Sequence, residues 1–303
     1  MKIAVTGASG FIGSNLTAHL SARGDLVRPV PRPFDRPDLT ESLRGCDIVV
    51  HLAGVIAATR DEEYVAGNVD AARLVAEATH AAGARLVHIS SLAAAGPAPP
   101  HAPRVEDDAD APITAYGRTK LAGERAIKGV IGLPWTILRP GIVYGPHDRA
   151  VLALFRMARS GILPRVGRDT AAYMMIHVSD LVRAIEAAID RADVSGETMF
   201  VAHPEPVTAR ALVEGIRDAA GGTGAIVPVP RPILWLAALA GDAVGVLRGT
   251  PVVINRRRYD ELNAEGFVCR VDRLRDRLGV VAQIGLRDGL AQTAAWYRAK
   301  GWL

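Results

Sequence analysis

Short apolar runs alternate with helix-patterned stretches along the first half of the chain. Five such runs have the length of strands, at residues 2–6, 26–30, 48–51, 86–90 and 135–139. Runs that are apolar throughout are typical of strands covered on both faces of a sheet. Because helical patterns separate them, the sequence predicts parallel βαβ units and an α/β fold with a doubly wound (Rossmann) parallel sheet.

The alternation loosens after the last of these runs, and smaller helices and loops are predicted there. We predict a dinucleotide-binding Rossmann domain over residues 1–165, with residues 171–202 returning to it, and a smaller C-terminal substrate-binding lobe over residues 203–303. Within the first domain, Thr59 and Glu62 have the spacing of a capping box, which predicts the start of a long helix.

Composition and charge are those of a globular protein. Of the 303 residues, 49% are hydrophobic and 22% are charged, and the formal net charge is +4. The tight basic run, residues 256–258, is interpreted as a solvated face, with a patch for nucleic acid or anionic lipid as the alternative. No strand pattern combines aromatic with basic residues, so we expect a small-molecule substrate and no nucleic-acid partner.

Several motifs are missing from the sequence, and each absence argues against one class of protein. Two cysteines are too few for a disulfide framework, and the chain starts with a strand rather than a charged leader, so we expect a cytoplasmic protein. No Cys-x-x-Cys or His-Glu-x-x-His motif predicts a metal site, and no Gly-x-Ser-x-Gly elbow predicts a serine hydrolase. Residues 233–247 are strongly apolar but too short to span a bilayer, so no integral membrane segment is expected. We predict a buried or substrate-covering helix there, with peripheral membrane contact as the alternative.

A glycine-rich loop lies between the first predicted strand and the first predicted helix. Its first glycine permits a tight turn, its second lets the backbone approach a pyrophosphate, and its third lets the helix pack closely on the strand. Amides at the start of the helix then donate to the phosphates. A purely structural turn is the alternative. The residues predicted to bind the pyrophosphate are Gly7, Gly10, Phe11, Ile12 and Gly13.

The end of the second predicted strand bears on the choice between NADP and NAD. A carboxylate at this point binds the ribose hydroxyls of NAD, whereas this sequence has Arg28 and Arg32. Because a guanidinium pairs with the 2′-phosphate of NADP, we predict that NADP is preferred over NAD and is bound through Arg32. The alternative is that both arginines face solvent.

Tyr116 and Lys120 lie four residues apart, on one face of a predicted helix. A phenol with a pKa of about 10 is a poor base at neutral pH. A neighbouring ammonium and the positive nicotinamide favour the phenolate and are expected to lower that pKa. Tyr116 would then exchange a proton with the substrate oxygen as hydride moves. Ser90 and Ser91 end a predicted strand, where ligands of open α/β sheets bind and a hydroxyl can stabilise that oxygen.

The order of these motifs resembles the extended short-chain dehydrogenase/reductase family, which includes the epimerase/dehydratase group. The resemblance is specific for the fold and less so for the reaction. The matching residues are Thr6 to Gly13, Asp38-Leu39, His51 to Gly54, Asn68-Val69, Ser90-Ser91, Tyr116 with Lys120, Arg139 to Gly141, Tyr144 to Pro146, and Ile176 to Asp180.

The resemblance implies roles for individual residues. It implies Ser91 as the catalytic serine, because Ser91 lies five residues before Gly96, although Ala95 stands where the family often has tyrosine. For Asp38, the alternative to a contact with adenine is that it caps the following helix. For Asn68, the two alternatives are helix packing and a water relay. The residues implied at the site are Ser91, Tyr116 and Lys120 as catalytic groups, Asp38 and Leu39 against adenine, Leu52, Ala53 and Gly54 in the cofactor cleft, Tyr116 and Lys120 also at the ribose, and Pro140 and Ile142 near the nicotinamide.

Two departures from the family's nucleotide-sugar enzymes bear on the substrate. Gly141 and Ile142 stand where those enzymes commonly carry asparagine, and Tyr173 stands where they commonly carry an arginine for the diphosphate. Arg165 and Arg168 are near enough in sequence to substitute for that arginine. The pattern is closer to the 3β-hydroxysteroid dehydrogenase-like and dihydroflavonol reductase-like branches.

The resulting prediction is an NADP(H)-dependent oxidoreductase that interconverts a secondary alcohol and a ketone on a small or lipid-like substrate. One alternative is a nucleotide-sugar epimerase or dehydratase that recycles bound NAD(P). Another is a non-catalytic NADP-binding sensor or scaffold. Since the family often dimerises through a four-helix contact, the resemblance also implies a homodimer through the helices at residues 62–82 and 115–131.

Overall fold

The chain folds into alternating strands and helices, which a computed structural model describes for residues 1–34, 36–168, 170–248 and 255–303. The strands are β1 (Lys2–Thr6), β2 (Leu26–Val30), β3 (Ile48–His51), β4 (Arg85–Ile89), β5 (Trp135–Pro140), β6 (Ile142–Tyr144), β7 (Ile162–Arg165), β8 (Ala172–Tyr173), β9 (Met175–His177), β10 (Glu197–Val201), β11 (Val207–Thr208), β12 (Ala225–Pro228) and β13 (Gly266–Phe267). The helices are α1 (Phe11–Ala22), α2 (Arg36–Leu43), α3 (Asp61–Val65), α4 (Ala71–Ala81), α5 (Ala115–Lys128), α6 (Leu152–Ser160), α7 (Val178–Asp190), α8 (Ala209–Ala220), α9 (Arg231–Arg248), α10 (Arg256–Asn263), α11 (Asp272–Leu278) and α12 (Leu286–Ala299).

A six-stranded parallel sheet forms the centre of the described chain. Its strand order is β10-β5-β4-β3-β1-β2, and every neighbouring pair is parallel. The order reverses between β1 and β3, which places a crevice for a ligand beyond the carboxyl ends of these strands. The predicted doubly wound Rossmann sheet is confirmed.

Helices cover both faces of this sheet because each strand alternates the direction of its side chains. Ile3 and Val5 of β1 pack in one apolar cluster with α1 and α7. Ala4, between them in sequence, packs in a second cluster with α2, α4 and α5. The sheet is therefore the middle layer of three, and its apolar side chains are buried on both sides.

The predicted long helix after Thr59 is interrupted, and its predicted capping box is wrong. The helix begins at Asp61, and the Thr59 hydroxyl donates to the carboxylate of Glu63 at 3.2 Å instead of capping an amide. A π-helical turn, Ala66–Asp70, then separates α3 from α4. This turn carries Asn68, whose side chain reaches the candidate site.

Elements on both sides of the predicted domain boundary share one core. Phe155 of α6, Leu163 of β7, Ile216 of α8 and Leu290 of α12 are buried in the same apolar cluster. Strand β7 pairs with β12, whereas β10 joins the central sheet beside β5. The chain thus crosses between the sheet and the carboxyl-terminal helices more than once, and the division at residues 165, 171–202 and 203 stays a prediction.

Candidate active site

The glycine-rich loop between β1 and α1 is a tight cradle of backbone. Gly7 has φ +70°, and a Cβ there would lie 2.9 Å from the amide nitrogen of Ala53. A Cβ at Gly13 would lie 2.1 Å from the carbonyl oxygen of Gly7, a distance that real Cβ atoms do not adopt. Both positions therefore require glycine if the loop is to keep this shape.

The first turn of α1 is open to an anion. Gly10 precedes the helix without any side-chain cap, and the first turn contains no acidic residue. Amide groups and the positive end of the helix dipole therefore remain for a ligand. The backbone cradle and this helix end fit the pyrophosphate of a dinucleotide, with Phe11 and Ile12 as the first helical residues.

The segment after β3 is held against β1 and α5 by polar side chains. The Thr6 hydroxyl hydrogen-bonds His51 Nδ1 at 2.7 Å and accepts from the Ala53 amide at 3.3 Å. Asn68 Oδ1 accepts from the Val55 amide at 2.8 Å, while its Nδ2 donates to the Val55 carbonyl at 2.9 Å. These contacts position Leu52, Ala53 and Gly54 beside the phosphate loop. Asn68 positions this segment, a role that the sequence analysis did not name, and its two predicted roles stay predictions.

The two arginines at the end of β2 have different environments. Arg28 donates from Nη1 to the carbonyl oxygens of Ser42 and Arg44, at 2.7 and 3.2 Å, and so secures the end of α2. Arg32 is exposed, with its guanidinium 6.0 Å from the centre of the Phe34 ring. Arg28 is exposed as well, but its guanidinium is engaged by these two carbonyls, whereas the guanidinium of Arg32 has no hydrogen-bond partner among the described residues.

The other predicted cofactor residues are spread around the ends of β2 and β5. Asp38 is exposed in the first turn of α2, while Leu39 beside it is buried against the sheet. Pro140 ends β5 and is buried, and Ile142 in β6 is 43% exposed. Their contacts with a cofactor stay predictions.

Ser90 and Ser91 lie next to each other but serve different partners. Ser90 is buried and donates its hydroxyl in a short hydrogen bond to Glu124. Ser91 precedes a 3₁₀ turn, accepts from the Ala93 amide at 3.2 Å, and has its hydroxyl beside the phenol of Tyr116, where it favours the phenolate. Because the Ser90 hydroxyl is committed to Glu124, Ser91 is the serine that faces Tyr116.

Tyr116 stands at the start of α5, where Thr114 caps the helix. The Thr114 hydroxyl accepts from the Gly117 amide at 3.2 Å and donates to Glu261 of α10 at 2.8 Å. Burial raises the pKa of Tyr116 to about 12, and the neighbouring Ser91 hydroxyl opposes the rise. The expected lowering of this pKa is therefore wrong for the protein alone, because loss of water outweighs the favourable contacts.

Lys120 is buried one turn after Tyr116. Its ammonium donates to the carbonyl oxygen of Ile89 at 2.8 Å, at the end of β4. Burial lowers the pKa of Lys120 to about 8, and the carboxylate of Glu124 opposes the shift. The lysine lies 3.9 Å from the position of a Cβ built on Gly54, which puts its ammonium at the predicted cofactor cleft.

A buried ion-pair network that the sequence analysis missed supports α5. Glu124 is fully buried and accepts from Arg139 Nε at 2.9 Å and from its Nη2 at 2.7 Å. Arg139 also donates to Asp110 at 2.7 and 3.1 Å. The network connects β5, α5 and the loop before α5, and Ser90 joins it. The only sequence signal was the spacing of Glu124, one helical turn after Lys120.

The carboxyl-terminal half reaches the site through α10, which sequence reasoning did not identify. Glu261 accepts a hydrogen bond from Thr114. The positive charge of Arg258 on the same helix lowers the pKa of Tyr116, whereas the neighbouring Tyr64 raises it. Trp235 of α9 packs edge-on against Tyr259 of α10, with ring centres 5.0 Å apart. Helix α9 is thus separated from the catalytic candidates by a single helix.

His51 and His177 are buried, as predicted for core histidines. Burial lowers the pKa of His51 to about 3, so this side chain is neutral at physiological pH. Within the ranges that the structure describes, no group of three His, Cys, Asp or Glu side chains is placed to hold a metal ion. In the same ranges, no helix is long and apolar enough to cross a membrane.

Known proteins resemble this chain over most of its length. It is 31% identical over 322 aligned positions to the ceramide reductase of Caulobacter vibrioides (strain NA1000 / CB15N), covering 99% of this chain and 96% of that protein. It is 31% identical over 265 positions to the dTDP-6-deoxy-L-talose 4-dehydrogenase (NAD(P)(+)) of Kitasatospora kifunensis, covering 76% and 83%. Among solved structures, MoeE5 in complex with UDP-glucuronic acid and NAD has a TM-score of 0.80 at 26% identity, covering 99% and 100%.

A family match covers about two thirds of the chain. The sequence profile of the NAD dependent epimerase/dehydratase family matches residues 3–202, which hold the phosphate loop, the central sheet and the catalytic candidates. Reductases, dehydrogenases and epimerases are all found among the relatives. The chain therefore belongs to the NAD dependent epimerase/dehydratase family, as an NAD(P)-dependent enzyme of the extended short-chain dehydrogenase/reductase type.

Proposed function

We propose that this enzyme is an NADP(H)-dependent oxidoreductase that interconverts a secondary alcohol and a ketone on a lipid-like substrate. The observation that carries the proposal is the arrangement of Ser91, Tyr116 and Lys120 around the carboxyl end of β4. The Ser91 hydroxyl lies beside the phenol of Tyr116, and Lys120 is held by the carbonyl of Ile89 two residues before Ser91. Such a set of groups serves proton transfer to and from a substrate oxygen.

Each of the three side chains has its own task in the reduction of a ketone. The Tyr116 phenol, with a pKa of about 12, is protonated at neutral pH and donates its proton to the carbonyl oxygen. Ser91 hydrogen-bonds the same oxygen and stabilises the charge that develops on it. The Lys120 ammonium holds the nicotinamide ribose and makes the surrounding potential more positive. In the oxidation of an alcohol, the same proton returns to Tyr116.

The cofactor NADP(H) supplies the hydride in reduction and accepts it in oxidation. Gly7, Gly10 and Gly13 form the cradle for its pyrophosphate, and the amides of Phe11 and Ile12 donate to it. Arg32, exposed at the end of β2, pairs with the 2′-phosphate and gives NADP its preference over NAD. The remaining proposed cofactor contacts are Asp38 and Leu39 at adenine, Leu52 to Gly54 in the cleft, and Pro140 with Ile142 at the nicotinamide.

The lipid-like character of the substrate is supported by three observations. The ceramide reductase of Caulobacter vibrioides matches almost the whole of this chain. The apolar helix α9 lies one helix away from Tyr116, and Tyr173 occupies the position where nucleotide-sugar enzymes commonly carry an arginine. Arg168, one of the two arginines that could take its place, pairs its guanidinium with Glu265 at 2.9 Å.

A substrate panel with added cofactor tests the proposal. We expect purified enzyme to oxidise NADPH stoichiometrically with long-chain ketones, and to leave UDP- and dTDP-sugars unchanged. NADH in place of NADPH should give slower turnover at equal concentration. Absorbance at the wavelength of the reduced nicotinamide and mass spectrometry of the product provide the two measurements.

A nucleotide-sugar epimerase is the second candidate, favoured by the fold shared with MoeE5 bound to UDP-glucuronic acid and NAD. Conversion of a nucleotide sugar without any net change in added NAD(P)H would establish it and contradict the oxidoreductase. An enzyme whose biological output is the same with Tyr116→Phe would instead support a non-catalytic sensor.

A further inference from the structure

Helix α9 has most of its large apolar side chains on the outside. It buries one leucine, Leu234, and the small Ala238, in line with Gly241 and Gly245 one and two turns further on. The large apolar residues on its outward face are Ile233, Trp235, Leu236, Leu239 and Leu247. A surface helix of a globular protein normally shows the reverse pattern, with polar side chains facing water.

The exposed surface of α9 is extensive and uncharged. Leu236 is 64% exposed and Leu247 is 85% exposed. The single acidic residue within the helix, Asp242, is neutralised by an ion pair with Arg256 of α10. Over its 18 residues the helix is about 27 Å long, so its outward side is an apolar strip rather than an isolated contact.

Arginines stand at both ends of this strip. Arg231 begins the helix and Arg248 ends it, and both side chains are exposed. In the described part of the chain no acidic side chain pairs with either of them, whereas Arg257 pairs with Asp61 and Arg258 with Glu261. Residues 231–258 contain five arginines and one aspartate, a net charge of +4 that equals the formal net charge of the whole chain.

We propose that α9 docks on the surface of an anionic phospholipid bilayer. An apolar helix face with cationic ends is the pattern of a helix that lies in the plane of the membrane interface. The outward leucines would enter the acyl region, and Arg231 and Arg248 would pair with lipid phosphates. A protein partner that only shielded the apolar strip would not use the two free arginines.

The position of α9 relates the docking surface to the active site. Its Trp235 packs on Tyr259 of α10, and Glu261 of α10 accepts the hydrogen bond of Thr114, two residues before Tyr116. A bilayer on α9 would therefore lie close to the entrance of the site. The docking itself does not depend on the proposed reaction. If the proposed reaction holds, the bilayer would be the source of the lipid-like substrate.

Co-sedimentation of the full-length enzyme with vesicles tests the proposal without substrate or cofactor. We expect binding to vesicles of phosphatidylcholine with phosphatidylglycerol, and a fluorescence blue shift from Trp235 that Trp235→Phe abolishes while binding persists. Leu236→Gln with Leu247→Gln should weaken binding at least about 10-fold, because each substitution removes a leucine that the bilayer would bury. Ile131→Gln is the matched control, since Ile131 is 92% exposed on another surface and should not alter binding.

The charged part of the contact is tested separately. Arg231→Gln with Arg248→Gln should weaken binding to the anionic vesicles about 10-fold and reduce its salt dependence. Arg44→Gln with Arg210→Gln removes the same charge from exposed ion pairs elsewhere and should leave binding unchanged.

Two results would overturn the docking proposal. One is vesicle binding that is equal in the leucine variant and in Ile131→Gln. The other is no vesicle binding, together with a dimer in solution that the leucine variant converts to a monomer, which would make α9 an interface between two copies. The proposed reaction is measured independently, by oxidation of NADPH with a short soluble ketone. A failure of docking is thereby distinguished from a failure of the reaction.

Discussion

Helices α7 and α9 are both rich in apolar residues, but they direct them oppositely. Helix α7 buries Leu181 and Ile185 against the central sheet and places Arg183 and Glu186 at the surface. Helix α9 buries one leucine, Leu234, among small residues and exposes its other three leucines. The comparison shows that apolar content alone does not say what a helix packs against. Helix α7 gains its stability from the sheet, whereas the apolar face of α9 is free for a partner.

The catalytic groups lie beside the central sheet, as α7 does, and substitutions of these groups should have the largest effects on activity. Tyr116→Phe removes the proton donor, and we expect it to lower kcat about 1,000-fold or more. Cofactor affinity, measured by fluorescence titration, should stay nearly unchanged. Tyr259→Phe is the control, because that phenol lies on α10, away from Ser91. Turnover at the wild-type rate in Tyr116→Phe would exclude the proposed role.

Lys120→Met should lower activity while raising stability at neutral pH. We expect turnover to fall about 100-fold. Burial lowers the pKa of Lys120 from 10.5 to about 8, so the buried ammonium opposes folding fully below pH 8. That cost declines as pH rises from 8 to 10.5, where the lysine is neutral in the folded protein but charged in the unfolded one.

Thermal unfolding across this pH range measures the stability effect. The melting temperature of Lys120→Met should exceed that of the wild type at pH 7, and the difference should shrink as pH rises from 8 towards 10.5. Lys128→Met, at the end of the same helix, should leave turnover unchanged. A difference that grew with pH would contradict the assignment of a costly buried ammonium.

A pair of leucine substitutions sharpens the comparison between α7 and α9 directly. Leu181→Ala empties part of the core beside the sheet and should lower the free energy of unfolding by about 3 kcal/mol. Leu236→Ala removes an exposed side chain and should change it by less than about 0.5 kcal/mol. Urea denaturation of the two variants measures both values. Equal losses would mean that α9 packs on the protein through its outward face.

The smallest expected effect concerns cofactor preference at the edge of the sheet. Arg32→Ala should weaken NADP about 10-fold and leave NAD nearly unchanged, because only NADP carries the 2′-phosphate. Arg28→Ala is the matched control, since Arg28 binds backbone carbonyls and should affect both cofactors equally. Equal weakening of both cofactors by Arg32→Ala would remove the basis for NADP preference.

Local patterns in the sequence determined much of this protein. The strands of the central sheet agree with the apolar runs to within a residue at most ends, because a strand buried on both faces must be apolar throughout. The need for glycine at position 13 follows from its close approach to Gly7 in the same loop, and the pairing of Tyr116 with Lys120 follows from the helical repeat. These features depend on residues that are near one another in the chain.

Only the tertiary structure decided how distant residues share the site. It assigned Ser90 to Glu124 and left Ser91 to Tyr116, tied the guanidinium of Arg28 to two carbonyls, and turned three of the four leucines of α9 outward. It also raised the pKa of Tyr116, where spacing alone predicted a lower one. Burial and electrostatic environment depend on which elements meet in space, and no local pattern contains that information.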